Sequence, residues 1–231
     1  LATTGIIQDL VQMQGNLYVY TNNSIYALQK TGSTSIPYTS GIITDTHGAL
    51  CTGAVHEFKG RHIIVGSSDI YEFSGHPASI QSLADGRVRD YFFDNVNPLA
   101  VTSTRLILNP ANDEVWLCYS TKDSSNSRLN ETLMWNYNSN VWSRRVISEA
   151  STVVLANTRK VIDGVLQSDV DASVLRPVFA INQTIYGCDI KGHFKTIIDT
   201  NYESYIERKE APQSPEFDTE YLTSAALWAF K

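Results

Sequence analysis

The sequence has few cysteines, and none of them lies at a paired spacing. Only three of its 231 residues are cysteine, and Cys51, Cys118 and Cys188 are scattered singly along the chain. A disulfide framework or a structural zinc site needs cysteines at short, paired spacings. The pattern therefore argues against both. We expect all three thiols to be small, buried hydrophobic side chains.

Charge is sparse, and long apolar runs are missing. Charged residues make up 18% of the chain, the formal net charge is -6 and the pI is near 5.3. Proteins that bind nucleic acid tightly use Lys and Arg to neutralise phosphates, so sequence-specific nucleic-acid recognition is not expected. No segment approaches the roughly 20 apolar residues of a membrane-spanning helix, so no membrane span is expected.

Motifs that carry catalysis or metal binding are also missing from the sequence. The five histidines show no H-x-x-x-H or H-E-x-x-H spacing, and no G-x-S-x-G nucleophile elbow occurs. Two acid pairs have the composition of a glycosidase site, Asp113 with Glu114 and Asp69 with Glu72. We interpret them as solvated acids of turns. The sequence thus predicts no enzyme activity, no catalytic residue, no cofactor and no metal ion.

What the sequence does contain is a repeated strand pattern. Four aromatic or aliphatic segments align on Ile25, Ile70, Leu133 and Ile185, at intervals of 45, 63 and 52 residues. A partner strand precedes the first three, at residues 15–20, 60–65 and 113–119. Each pair predicts a β-hairpin, and the intervals are typical of propeller blades.

The repeats predict an all-β fold with little helix, in the form of a β-propeller or a propeller-like assembly of antiparallel hairpins. A β-sandwich is the competing fold, but it does not predict a recurrent Ile-Tyr strand. Val88, Phe92 and Val96 predict one short helix. The expected blades lie near residues 14–30, 58–75, 113–147 and 180–200.

The predicted domain organisation is one propeller-like domain over residues 1–205. Residues 206–231 are expected to form a charged, proline-punctuated connector and the start of a following, truncated region. The first residue is not Met and no signal-type segment follows it, so we expect the chain to be part of a longer polypeptide.

A polar insertion sets the third repeat apart. Residues 120–130 replace the short turn of the first two hairpins with the sequence STKDSSNSRLN. We expect a mobile loop that contacts a neighbouring subunit or a partner protein. The candidate contact residues are Ser124, Ser125, Asn126, Ser127 and Arg128.

The third repeat and its flanks also resemble a known family. Residues 109–116 read N-P-x-x-D-E-V-W, and after the polar loop residues 133–143 read LMWNYNSNVWS. Upstream lies RVRDYFF at 87–93, and downstream YIERK at 205–209. Together these segments resemble the tail tubular protein B, or nozzle, family of short-tailed bacteriophages, over most of the chain from about residue 15 to 209.

The resemblance implies a virion structural protein, made in the host cytoplasm and built into the phage tail. It implies that six copies form a ring at the distal end of a short tail, around a channel through which double-stranded DNA passes transiently during ejection. The implied partners are copies of the chain itself, the tail adaptor and the tail fibre proteins, and no enzyme activity is implied. An acidic wall suits such a channel, because strong phosphate contacts would slow the sliding DNA.

Two other functions are compatible with the sequence. The leading alternative is a carbohydrate-binding or glycoside-cleaving β-propeller, in which the aromatic residues and an acid pair would cluster at one mouth. A third is a bacterial scaffold propeller that binds protein partners through its loops.

Overall fold

The structure is a computed structural model that describes residues 5–84, 86–159, 161–162, 165–166, 173–181, 184–187, 202–207 and 227–230. In these residues the chain is mostly antiparallel β-sheet with one α-helix, as predicted. That helix is far too short to cross a bilayer, and none of the described segments offers a longer one. The fold is therefore all-β.

The chain divides into two compact units, residues 1–106 and 107–231. The strands of the first unit form two four-stranded antiparallel sheets, each with its strands in chain order. The first sheet consists of β1 (Ile7–Met13), β2 (Asn16–Thr21), β3 (Ile25–Lys30) and β4 (Tyr38–Thr44). The second consists of β5 (Val55–Phe58), β6 (Arg61–Val65), β7 (Ile70–Phe73) and β8 (Gln81–Ser82).

The two sheets repeat one another with a 45-residue period. The β1–β2 turn contains Gln14 at φ +50° and Gly15 at φ +82°, and the β5–β6 turn contains Lys59 at φ +50° and Gly60 at φ +77°. Two consecutive residues with positive φ form the tight turn whose twist suits a two-residue hairpin, and glycine takes this conformation without strain. The same local geometry therefore recurs at the same register in both sheets.

The turns after β2 and β6 repeat as well. Thr21 N–H donates to Ser24 O at 2.9 Å, and Gly66 N–H donates to Asp69 O at 2.8 Å. The hairpins predicted for the first two repeats are β2–β3 and β6–β7, and both are confirmed by their strand pairing.

The core of the first unit lies between its two sheets. One side is lined by aromatic and aliphatic residues of the first sheet and the other by residues of the second. Its members include Met13, Tyr18, Tyr20, Ile25, Ala27, Val55, Ile64, Tyr71 and Phe73. Burial of side chains of this size contributes about 1.5–3 kcal/mol each, which makes this layer the main source of stability in the unit.

The segment that links the two sheets is hydrogen-bonded to both of them. Ala49 N–H donates to Thr21 O on β2, and Leu50 N–H donates to Val65 O on β6, both at 2.8 Å. The Tyr71 hydroxyl donates to Gly48 O at 2.8 Å. Main-chain bonds thus fix the linker against the ends of both central strands.

The helix α1 (Gly86–Asn95) follows the second sheet, as Val88, Phe92 and Val96 predicted. Phe92 is fully buried, and Val96 is also buried just beyond the last turn. A short 3-10 helix at Pro77–Ser79 precedes β8 and another at Val101–Ser103 follows α1.

The described residues of the second unit form three sheets. The strand β9 (Arg105–Asn109) spans the division between the units and is the edge of a six-stranded sheet with the order β19-β18-β12-β11-β10-β9. Its other strands are β10 (Glu114–Tyr119), β11 (Leu129–Asn136), β12 (Val141–Ala150), β18 (Tyr202–Glu207) and β19 (Leu227–Phe230). A three-stranded sheet has the order β13-β16-β17, and β14 and β15 form a small hairpin. These strands are β13 (Thr152–Arg159), β14 (Val161–Ile162), β15 (Val165–Leu166), β16 (Ser173–Ile181) and β17 (Thr184–Gly187).

The core of the second unit lies between the six-stranded and three-stranded sheets. Trp116 on β10 packs against Phe179 on β16, with ring centroids 6.2 Å apart. Further members include Cys118, Leu129, Met134, Ile147, Val153 and Ile181.

The expected blades correspond to strands where the structure describes them. Residues 14–30 and 58–75 fall in the two sheets of the first unit, and 113–147 contain β10, β11 and β12. Of the expected blade at 180–200, the structure describes the end of β16 and β17, and residues 188–200 lie outside the described part. Each hairpin is antiparallel. Closure into a propeller stays a prediction.

The expected limits of the domain also stay a prediction. The boundary at 205/206 falls inside β18, which pairs with β12 and with β19. Residues 208–226, which contain most of the expected connector, lie outside the described residues.

Candidate functional site

The predicted partner-contact loop connects β10 to β11 and is held by hydrogen bonds at its base. Thr121 N–H donates to Asn130 Oδ1, and Asn130 Nδ2 donates back to Thr121 Oγ1, both at 2.8 Å. Ser124 N–H donates to Thr121 O at 3.0 Å, and the Ser124 hydroxyl donates to Arg128 O at 3.3 Å. The loop therefore has its own internal structure.

The tip of the loop bends back toward β12. Ser125 Oγ donates to Glu149 Oε1 at 3.2 Å, and Asn126 Nδ2 donates to Glu149 Oε2. Ser127 takes φ +55°, which turns the chain back toward β11. A mobile loop was expected; the structure shows its tip hydrogen-bonded to Glu149 on β12 of the same sheet, and its mobility stays a prediction. Ser125, Asn126 and Ser127 remain exposed, and their role as a contact stays a prediction.

Asp113 lies in the turn before β10, as predicted, but Asp113 and Glu114 are half-buried and hydrogen-bonded where full solvation was predicted. Asp113 has φ +59°, and its Oδ1 accepts a 2.7 Å hydrogen bond from the Tyr137 hydroxyl. Burial, together with the hydrogen bond to Asp113 and the charge of Asp113, raises the pKa of Tyr137 to about 12. Glu114 Oε2 accepts a 2.8 Å bond from Trp116 Nε1 and a 3.3 Å bond from Asn109 Nδ2. Both carboxylates therefore form hydrogen bonds that hold the start of β10 in place.

The second acid pair is also bonded within its own sheet. Asp69 Oδ1 accepts from the Ile70 N–H at 2.8 Å and from Ser82 Oγ at 3.0 Å, which joins β7 to β8. Glu72 forms an ion pair with Arg61 of β6. Each of these carboxylates therefore has a structural hydrogen-bonding role.

An aromatic cluster lies at the turn between β11 and β12. Trp135 and Trp142 are directly opposite in the strand register, and their rings stack at 6.3 Å with an interplanar angle of 26°. Trp135 Nε1 donates to Asn140 Oδ1 in the turn at 2.9 Å, and Tyr137 packs edge-on to Trp135 at 6.4 Å. Trp135 is buried, whereas Tyr137 and Trp142 are half-buried.

A buried ion pair crosses β10, β11 and β12, and sequence reasoning missed it. Glu131 is 3% exposed and accepts hydrogen bonds from the Tyr119 hydroxyl and from Arg144, whose Nη2 lies 2.7 Å from Glu131 Oε2. Glu131 has the same strand phase as the apolar Leu133 and Trp135, and that was the available signal. A carboxylate in phase with buried residues indicates a buried partner.

A buried histidine in the first unit was missed as well. His62 lies on β6 and contacts Tyr20 of β2 and the main chain of β1. In the 45-residue repeat it occupies the position of Leu17 in the first sheet. A histidine at an apolar position of a repeat was again the available signal.

The thiols and the metal-ligating side chains show no reactive arrangement where they are described. Cys51 and Cys118 are buried, as expected, and burial raises their pKa values to about 11 and about 12. Cys188 lies outside the described residues. Across the described ranges, no three His, Cys, Asp or Glu side chains are grouped closely enough to hold a metal ion.

Comparison with models of protein families and with curated protein sequences finds no match for this chain.

Proposed function

We propose that the chain is a structural component of a short phage tail, the tail tubular or nozzle protein, and forms part of the channel through which the genome is ejected. The observation that carries this proposal is the 45-residue repeat of four-stranded antiparallel sheets with matching turns. Repeated sheets that bury their faces on one another build a rigid wall, and a conduit needs such a wall.

The arrangement of the sheets as propeller blades is part of the same proposal. Each four-stranded sheet of the first unit has its strands in chain order, which is the arrangement of a propeller blade. We take these two sheets as consecutive blades, and β10, β11 and β12 as the core of a further one.

The state of the acidic side chains supports a structural role over a catalytic one. Asp69, Asp113, Glu114 and Glu131 each accept hydrogen bonds that join strands or turns. A carboxylate that holds the fold together in this way is a poor candidate for proton transfer to a substrate. The proposal accordingly assigns no enzyme activity to the chain.

The proposed partners follow from the same role. Six copies would form a ring that contacts the tail adaptor and the tail fibre proteins, and double-stranded DNA would pass through it without specific binding. The formal charge of -6 suits this passage, because each phosphate contact adds affinity and opposes sliding. The exposed tip of the 120–130 loop is the proposed contact with a neighbouring subunit.

Cryo-electron microscopy of the purified full-length protein tests this function. We expect ring-shaped particles with six-fold symmetry and an open central channel. A stable monomer at micromolar concentration, together with a closed pocket in the reconstruction, would contradict the proposal. Labelling of purified virions with an antibody against the chain provides an independent check, because the label should lie at the distal end of the tail.

Carbohydrate binding is the second candidate, and one observation favours it. The half-buried Trp142 stacks on Trp135 and presents an aromatic ring close to Tyr137, and sugar rings pack on such surfaces. A glycan array with the wild-type protein and a Trp142→Ala variant distinguishes the two functions. Binding that the variant loses supports the carbohydrate function, and the absence of binding to any glycan contradicts it.

A further inference from the structure

His62 bridges the two sheets of the first unit through both nitrogens of its ring. The residue lies on β6 in the second sheet and is fully buried. Its Nδ1 lies 2.5 Å from the hydroxyl oxygen of Tyr20 on β2, and its Nε2 lies 3.3 Å from the carbonyl oxygen of Gln12 on β1. One side chain thus joins the second sheet to two strands of the first.

The two partners determine which nitrogen carries the hydrogen atom. A carbonyl oxygen can only accept, so Nε2–H donates to Gln12 and Nδ1 accepts from the Tyr20 hydroxyl. The ring is therefore neutral, and both of its polar atoms are satisfied. A proton added at Nδ1 would face the hydroxyl hydrogen of Tyr20, and the hydroxyl would have to turn away.

The surroundings disfavour a charged ring. Tyr18 meets His62 edge-on at 5.5 Å and Phe73 lies at 6.5 Å, so aromatic rings occupy the space around the imidazole. Moving a cation into such a site without a new hydrogen-bond acceptor costs several kcal/mol.

Few titratable groups influence the pKa of His62, and their effects have opposite signs. Asp9 on β1 and Glu57 on β5 carry negative charge that favours the protonated ring, and the bond to Gln12 acts in the same direction. His56 on β5 disfavours it, and the loss of hydration on burial is the largest effect. The net result is a pKa of His62 below the ordinary histidine value of 6.5.

We propose that His62 is an acid-sensitive switch in the packing of the two sheets of the first unit. At neutral pH it adds two bonds between the sheets, and in mildly acidic solution it raises the fraction of molecules in which the sheets are open. The bonds that His62 contributes run between the sheets. A sheet that loses its packing partner also loses protection of its own strand hydrogen bonds, because these then open more often. The surface that becomes exposed is the aromatic layer around Tyr18 and Phe73.

The direction of the pH effect follows from linkage. Above pH 6.5 the ring is neutral in both the closed and the open state, so pH has no effect through His62. Below 6.5 the open state takes up a proton that the closed state cannot, until the lowered pKa of the closed state is reached. Within this window the ratio of open to closed molecules rises by up to about tenfold for each pH unit.

Hydrogen exchange of the full chain, followed by mass spectrometry at pH 7.5 and pH 5.0, tests the switch. Rates are corrected for the known pH dependence of exchange in unstructured peptides. We expect peptides that span β2 and β6 to lose at least tenfold in protection at pH 5.0. Peptides that span β10 and β11 in the second unit should not change and provide the internal reference.

Two variants distinguish His62 from its neighbours. In His62→Gln the side-chain oxygen can accept from Tyr20 and the amide can donate to Gln12, but the residue does not titrate, so protection should persist at pH 5.0. His76→Gln is the matched control, because His76 is an exposed histidine of the same unit, and this variant should behave like the wild type. The proposed switch is contradicted if wild-type protection is equal at both pH values. It is also contradicted if His62→Gln and the wild type lose protection equally at pH 5.0.

A measurement on the wild-type protein covers the case in which His62→Gln does not fold. Nitrogen-15 NMR of the histidine rings reports the tautomer and the protonation of His62 directly. We expect a neutral ring with hydrogen on Nε2 at pH 7, and protonation that coincides with a shift of the Phe73 ring signals. Protonation near pH 6.5 with unchanged Phe73 signals would overturn the proposal.

Discussion

Arg144 on β12 and Glu131 on β11 form an ion pair, with Arg144 Nε 2.8 Å from Glu131 Oε2. The Glu131 side chain is 3% exposed, whereas the Arg144 side chain is 26% exposed. The Tyr119 hydroxyl on β10 donates to the same carboxylate, so three strands of one sheet meet at this group. A buried carboxylate with this arrangement should depend on both of its donors.

Removal of Arg144 should therefore destabilise the protein more than an ordinary surface change. Arg144→Met leaves a buried charge with the Tyr119 hydroxyl, and we expect a loss of about 2–3 kcal/mol in the free energy of unfolding. Urea denaturation followed by tryptophan fluorescence measures it. Glu131→Gln combined with Arg144→Met should recover most of the loss, because the side chain is uncharged and its amide oxygen still accepts from the Tyr119 hydroxyl. A double variant no more stable than Arg144→Met would contradict this account.

Gly48 should not tolerate a side chain. A Cβ atom at this position would lie 2.4 Å from Asn23 N and 2.4 Å from Thr21 O, which are main-chain atoms that cannot move aside easily. We expect Gly48→Ala to lower the free energy of unfolding by about 2–3 kcal/mol. Gly41→Ala is the matched control, since nothing lies within 4 Å of a Cβ there, and its effect should be below about 1 kcal/mol. Equal effects in the two variants would show that the close approach at Gly48 carries no cost.

Asp113 has a strained backbone and its carboxylate also accepts a hydrogen bond from Tyr137. Two substitutions separate the effects of these two features on stability. Asp113→Ala loses the bond to Tyr137 and keeps φ positive, whereas Asp113→Gly loses the bond and relieves the strain. We expect Asp113→Ala to be less stable than Asp113→Gly by about 1 kcal/mol in thermal unfolding. Identical melting temperatures for the two variants would exclude backbone strain at this turn.

The same bond makes a prediction about alkaline pH. Tyr137 has a folded pKa near 12, above the ordinary tyrosine value of 10.0. The stability that it contributes is fully present below pH 10 and is lost as the pH rises toward 12. Ultraviolet titration of the phenolate band should show one more tyrosine ionising at lower pH in Asp113→Asn than in the wild type. Superimposable titration curves would contradict the contribution of Asp113.

Glu149 should limit the access of proteases to the 120–130 loop. Glu149→Gln weakens the bonds from Ser125 and Asn126, and we expect trypsin to cleave several-fold faster after Lys122 and Arg128, while the free energy of unfolding changes by less than about 1 kcal/mol. Asp45→Asn removes an exposed acid outside the loop and should leave the cleavage rate unchanged. Equal rates in Glu149→Gln and wild type would show that the loop does not depend on this anchor.

The regular part of the fold was predictable because it repeats. The aligned strands at Ile25 and Ile70 gave the period of the first unit, and the pattern of Val88, Phe92 and Val96 gave α1. Local periodicity is enough for both, since each feature depends on neighbouring residues.

The buried polar groups were not predictable, because their partners are distant in sequence. Glu131 meets Arg144 and Tyr119 only through the registers of two strand pairs, and His62 meets Tyr20 only after two sheets pack. A polar residue at an apolar position of a strand pattern can be recognised in the sequence, but the pattern does not identify its hydrogen-bonding partner. The same reason explains why Asp113 was interpreted as solvated, since its partner Tyr137 lies 24 residues away. It does not apply to Glu114, whose partners Asn109 and Trp116 are close in sequence.

The linker between the two sheets of the first unit is held mainly by its main chain, so most of its side chains are not needed for its path. Ala49 and Leu50 are bonded through their main-chain N–H groups to carbonyl oxygens of Thr21 and Val65. Such bonds do not depend on side-chain identity, apart from the requirement for glycine at position 48. Substitutions at the exposed positions of the two sheets therefore leave these linker bonds in place.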